Sequence, residues 1–267
     1  MNGSKKDKET IESFFGAFDR SAQPLLLLDY DGTLADFRVD RFKARPWAGV
    51  PEQLNSIQSR TKTRLAVITG RPPEEIPKLL GLDRPVEVWG LHGARRLYQD
   101  GRSELEEVSP AARAILDEVR TCLRRDAFGG LYEDKPNAAV VHWRGIAPST
   151  AKLIERRTRE IFEPLACNDG LTLLEFEAGL ELRSGRDKGG AVRAIVREAE
   201  PGTPVAYLGD DITDEAAFRA VNEAKGPHLS VLVKRRWRES AADVWLKPPG
   251  ELKEFLRRWL TETSDYR

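Results

Sequence analysis

Asp29 and Asp31 stand two residues apart where the run PLLLLDYDGTL, Pro24 to Leu34, passes from apolar to turn-forming residues. Carboxylates that close repel each other unless a cation compensates them, so the pair calls for a divalent metal. Thr69, Gly70 and Arg71 follow a second apolar run, LAVI. A hydroxyl, a guanidinium and a residue that lets backbone N–H groups approach suit an oxyanion. Lys188 falls in the first turn of the helical pattern of GRDKGGAVRAIV, with Asp187 as its cap. A cation there opposes the helix dipole and asks for an anionic partner. Asp210 and Asp211 end the run VAYLG, with Asp214 and Glu215 just beyond. Acids for a metal, a hydroxyl and a lysine for phosphoryl oxygens, and a carboxylate free to attack are the parts that phosphoryl transfer requires.

These residues need a scaffold that brings them to one edge. The unbroken leucines before Asp29 suit a strand of a parallel sheet buried on both faces, whose carboxyl end is where open α/β sheets bind ligands. Ile11, Phe14, Phe15 and Phe18 recur at helical spacing ahead of it. A helix over 52–60, a strand within TRLAVITGR, a helix after Pro72-Pro73 and a strand from Val86 into a turn at His92-Gly93 continue the alternation. After Lys188 the pattern resumes with the VAYLG strand, a helix capped by Thr213, strands from Leu229 and Asp243, and a helix over 250–260. Between the two halves, helices near 110–125 and 148–163 alternate with hairpin-like strands, and Val140, His142 and Arg144 are expected on one side of one of them. The expected architecture is therefore α/β: a core with a parallel sheet over 1–100 and 185–267, and an inserted α+β domain over 101–184.

Lys plus Arg equals Asp plus Glu at 43 each, which removes any general attraction to nucleic acid or a membrane surface and requires an anion site to be built locally. Cys122 and Cys167, the only cysteines, lack CxxC spacing and predict neither a disulfide framework nor a zinc site. No signal sequence or long apolar span is recognisable, so a cytoplasmic monomer is expected.

Taken in order, DYDGTL, the threonine of VITGR, the lysine of RDKGGAV and GDDITDE resemble the four motifs of the haloacid dehalogenase superfamily of phosphatases. VITGRP, GLHGA, YEDKPNAAVVHWR, LELRSGRDKGGAV and GDDITDEAAF further resemble the trehalose-6-phosphate phosphatase family. The resemblance implies a Rossmann-like core with an inserted cap of the C2 type. It implies Asp29 as nucleophile, Asp31 as general acid and base, and Thr69 with Lys188 as the phosphate clamp. It also implies Mg²⁺ held by Asp29, the Asp31 backbone carbonyl and Asp210, with Asp214 adjacent. Gly70, Arg71, His92, Gly93, Glu133, Lys135, Arg144 and Glu181 become the expected substrate-binding residues, with the cap closing over a sugar phosphate. One departure is Arg95, where family members often carry Glu after HGA. A sucrose-phosphate or glycosyl-phosphoglycerate phosphatase, or a catalytically silent regulatory domain, are the competing expectations.

Overall fold

The computed structural model of the chain describes residues 5–18, 23–38, 40–125, 130–135, 137–166, 170–176 and 178–264. In chain order α1 (Lys5–Gly16), β1 (Leu25–Leu28), α2 (Val50–Arg60), β2 (Arg64–Ile68), α3 (Glu75–Leu80), β3 (Glu87–Gly90), β4 (Arg95–Leu97) and β5 (Ser103–Leu105) come first. Then follow α4 (Pro110–Arg125), β6 (Tyr132–Lys135), β7 (Ala138–His142), α5 (Pro148–Phe162), β8 (Leu171–Phe176) and β9 (Gly179–Ser184). The chain closes with α6 (Lys188–Glu198), β10 (Val205–Gly209), α7 (Glu215–Asn222), β11 (His228–Val233), β12 (Val244–Leu246) and α8 (Gly250–Thr263). Residues up to Leu105 and from Arg186 onward make one compact unit, and Glu106–Gly185 make a second.

The first unit holds an eight-stranded sheet of order β12-β11-β10-β1-β2-β3-β4-β5. All its pairings are parallel from β12 to β3, and β4 and β5 add an antiparallel edge. The leucine run works because successive side chains point to opposite faces. Leu26 and Leu28 join the cluster that α1, α2 and α8 bury, while Leu25 and Leu27 join the one that α6 and α7 bury. Neither face meets water, so no alternation is required. The aromatic stripe of α1 packs as expected, with Phe14, Phe15 and Phe18 stacked around Trp259 of α8.

In the second unit a four-stranded antiparallel sheet, β6-β7-β9-β8, packs α4 and α5 on one face through Leu116, Leu123, Phe162, Val141, Leu180 and Leu182. Three differences from the sequence reading follow from short-range geometry. Ser103–Leu105 pairs with β4 in the large sheet, so the second unit begins at Glu106 and not at 101; a three-residue strand is too short to show a period. Arg144 lies in the turn beyond β7, off the line that Val140 and His142 follow. Thr213 is not the cap ahead of α7, because Asp211 and Asp214 cap each other's backbone reciprocally. Cys122 is a half-buried free thiol, and Cys167 lies outside the described residues.

Candidate active site

The carboxyl ends of β11, β10, β1, β2 and β3 are consecutive in the large sheet, and each delivers part of one site. Asp29, the first residue past β1, is 3% exposed. Its backbone N–H is held by the carbonyl of Leu208, and its Oδ2 accepts from the Thr33 hydroxyl at 3.3 Å. Lys188, from the first turn of α6, donates to Asp29 Oδ1 at 2.7 Å and to Asp214 Oδ1 at 2.6 Å. The anionic partner demanded by a lysine at a helix amino end is thus two buried carboxylates.

Asp214 is the hub of the site. It is fully buried, and besides Lys188 it accepts from the Tyr207 hydroxyl at 2.5 Å and from the backbone N–H groups of Asp210 and Asp211 at 2.9 Å each. Tyr207 stands two residues inside β10 and gave no chemical signal in the sequence, where it reads as core. Asp29, Asp210 and Asp214 each place a carboxylate oxygen within 4.8 Å of the others. Burial pushes the Asp29 carboxyl well up, Asp214 and Asp210 push it further, and Lys188 pulls it back. Burial and then Asp214 bring Asp210 up to about 7. Burial opposes the charge of Lys188, yet Asp214 and Asp29 more than restore it and raise its affinity for the proton. One lysine among three carboxylates leaves negative charge in a desolvated place, which is the environment of a divalent cation.

Asp31 is treated differently from Asp29 although the sequence makes them look alike. Its carboxylate accepts both Nε and Nη2 of Arg71 at 2.6 Å in a bidentate pair. Arg71 also donates to the backbone carbonyl of Arg41 and sits over the ring of Tyr30. Gly32 makes the DYDGT turn passable, with φ at +83°, and a Cβ there would lie 2.2 Å from the Asp210 carboxylate. Thr69, 1% exposed, is the first residue past β2, and its hydroxyl caps the N–H of Arg71 at 3.2 Å. Leu91 and His92 adopt left-handed φ of 51° and 58°, a strained stretch that ties His92 N–H to the Thr69 carbonyl at 2.8 Å and lays the His92 ring against Gly70. Gly93, at φ +105°, brings this loop against the Asp187 carbonyl, where a Cβ would meet it at 2.8 Å.

The structure adds partners that the motifs did not predict. Lys234, just beyond β11, reaches the Asp210 carbonyl at 3.2 Å and its carboxylate at 3.4 Å. Arg238 donates to the Asp211 carbonyl at 2.8 Å and to Glu215. Arg95 pairs with Glu74 at 2.5 Å and donates to the Ser103 hydroxyl at 3.0 Å.

The remaining expected substrate residues belong to the second unit. Strand register puts Glu133, Val140 and Glu181 in one row and Lys135, Ala138 and Arg183 in the next, on the face opposite α4 and α5. Lys135 donates to Glu181 at 2.8 Å, and Glu133 pairs with His142 at 3.0 Å. Arg144 is exposed and outside both rows.

A sequence model of the trehalose-phosphatase family matches residues 27–245. The trehalose-phosphate phosphatase of Mycobacterium leprae (strain TN) is 29% identical over 261 residues, which cover 91% of this chain and 59% of that protein. The chain spans about three fifths of the length of the curated relatives it matches. A crystal structure of a trehalose-6-phosphate phosphatase related protein aligns with a TM-score of 0.65 at 27% identity, covering 89% of this chain and 97% of that one. A haloacid dehalogenase-like hydrolase from B. subtilis shares the fold, with a TM-score of 0.61 at 17% identity over 88% of this chain and 99% of that one.

Proposed function

The chain belongs to the trehalose-phosphatase family, and from that premise we propose that it hydrolyses a sugar phosphate monoester, trehalose 6-phosphate before others, to the free sugar and inorganic phosphate. The observation that carries the reading is a buried carboxylate, Asp29, at a strand end, bonded to Lys188 and clustered with Asp210 and Asp214. A hydrolytic nucleophile needs that combination of fixed position and compensated charge.

In this reading a carboxylate oxygen of Asp29 attacks phosphorus, and the bond between phosphorus and the sugar oxygen breaks. Asp31 gives the leaving oxygen its proton, then takes one from the water that attacks the aspartyl-phosphate, and Asp29 is regenerated. Lys188 and the Thr69 hydroxyl hold the non-bridging oxygens. The Asp31 carboxylate is bound by Arg71, so the Asp31–Arg71 pair must open in each turnover. Asp29, Asp210 and the Asp31 backbone carbonyl suit Mg²⁺, which when bound supplies charge neutralisation for the dianionic phosphate. Both Asp214 oxygens already accept hydrogen bonds, so its part is to fix Lys188 and the Asp210 backbone. Lys135, Glu181, Glu133 and Arg144 are assigned to the sugar, with Arg71, His92, Gly70 and Gly93 at the phosphate end. A cytoplasmic, monomeric enzyme completes the proposal; among the described residues no helix is long and apolar enough to cross a membrane.

Phosphate release from a panel of sugar phosphates, with and without Mg²⁺, tests it. Trehalose 6-phosphate is expected to turn over fastest, with sucrose phosphate and glycosyl phosphoglycerate far slower. No release from any member, or full release in excess chelator, overturns it.

A further inference from the structure

The segment Lys234-Arg235-Arg236-Trp237-Arg238 carries four cations and no acid in a chain whose charges cancel overall. It follows β11 directly, at the edge where Asp29 and Asp210 lie. Both of its ends are anchored on the acidic loop, Lys234 through Asp210 and Arg238 through the Asp211 carbonyl and Glu215. Between the anchors the side chains turn outward: Arg235 is 65% exposed and Trp237 63% exposed. Arg235 bridges to the loop after β1, contacting Asp36 at 3.3 Å and the ring of Trp47. Over residues 35–47 of that loop Arg38, Arg41, Lys43 and Arg45 outnumber Asp36 and Asp40, with Arg41 paired to Glu75 and Lys43 to Asp40.

The centre itself holds a phosphate dianion at short range and offers it little attraction over distance. Asp29, Asp210 and Asp214 offset Lys188 and Lys234, so with a divalent cation added the centre carries only a small net charge. Attraction over distance must come from charge outside the centre, and this rim carries an excess of cations even though Arg235 and Arg238 pair with Asp36 and Glu215. We propose that the 234–238 segment, with the cations after β1, is an electrostatic collar that draws the phosphate dianion to the site and sets its affinity without touching the reacting atoms. The inference rests on the phosphatase reading for its substrate class and deepens it.

The test is Arg235→Gln combined with Arg236→Gln, assayed on a sugar phosphate and on an aryl phosphate over about 10 to 300 mM salt. Equilibrium binding of inorganic phosphate to the Mg²⁺-loaded protein is measured over the same range. The native protein is expected to lose kcat/KM as salt rises. The double variant should start roughly 3- to 10-fold lower at low salt, show a flatter salt slope and meet the native value at high salt, with kcat unchanged. Phosphate affinity should follow the same pattern, which keeps the inference testable even if no monoester is turned over and the phosphatase reading falls. Identical salt slopes in the two proteins, or a fall in kcat equal to that in kcat/KM, overturn the collar.

Discussion

At the scale of single residues, the two carboxylates of DYDGT are separated by what each touches: Asp29 meets Lys188 and Thr33, whereas Asp31 meets Arg71. Asp29→Asn leaves an amide that cannot attack phosphorus, and turnover of every phosphate ester should vanish. Asp31→Asn should cost about 10²–10⁴-fold on a sugar phosphate, whose alkoxide needs a proton, and less on an aryl phosphate, whose phenolate does not. Rapid quench and mass spectrometry of Asp31→Asn with an aryl phosphate should show a phosphoryl group on the Asp29 peptide. An adduct on Asp31 would reverse the two roles. Tyr207 makes a subtler case. Its hydroxyl is one of four donors to Asp214, and Tyr207→Phe leaves that buried oxygen short of a partner at a cost of about 1–3 kcal/mol in stability. The melting temperature of the variant against native protein measures it, and an unchanged value would show that the bond carries no net weight.

Elements transmit these positions. Glu198, the last residue of α6, accepts from Arg64 of β2 at 2.7 Å and from Arg96 of β4 at 2.6 and 2.9 Å. The same arginines grip the buried Glu87 of β3, so one ionic cluster fastens α6 to three strands at the edge opposite Lys188. Burial opposes the charge on Glu198, but Arg96 and Arg64 outweigh it and hold its carboxyl below the usual range. A depressed carboxyl contributes stability that is complete above the unfolded value near 4.3 and is lost as pH falls through the folded value. Thermal melts from pH 7 down to pH 3 should show native protein losing more than Glu198→Gln, with the gap between them closing in acid. A gap that stays constant over the whole range would mean that the pair contributes nothing as an ion.

For the molecule as a whole, the division into two units would, on the proposed reading, separate bond cleavage from the residues assigned to the sugar. Asp29, Lys188 and the acidic cluster all come from the first unit, while Lys135 and Glu181 form a partly buried pair in the second. Lys135→Ala should therefore raise KM for a disaccharide phosphate by about tenfold or more, the loss of one charge-assisted hydrogen bond, and leave aryl phosphate hydrolysis within twofold. Equal losses on both substrates would show a general collapse of the second unit. The acidic cluster predicts a second global property. Mg²⁺ held at this cluster would relieve repulsion present only in the folded protein, so it should raise the melting temperature of native protein and leave Asp210→Ala unmoved. A similar rise in the variant would place the ion elsewhere.

The sequence by itself determined the family motifs and the order of the core elements, because both are written locally. A doubly buried strand must be apolar throughout, a helix must be capped, and acids beside a turn declare themselves by type and spacing. The places of Asp29, Thr69, Lys188 and Asp210 at strand ends or a helix start were legible for that reason, as were β1, β2, β10 and the helices that flank them. Only the tertiary structure decided which carboxylate each cation would neutralise, since Arg71 lies 40 residues from Asp31 and Lys188 lies 159 from Asp29. It made Asp214, which a helical first turn explains without any site, the most heavily hydrogen-bonded acid of the cluster, and it drew in Tyr207, Lys234 and Arg238, whose residue types say nothing until a sheet places them. Short-range patterns record what each segment must bury; which charges meet is a property of the sheet order, and that exists only once distant strands have paired.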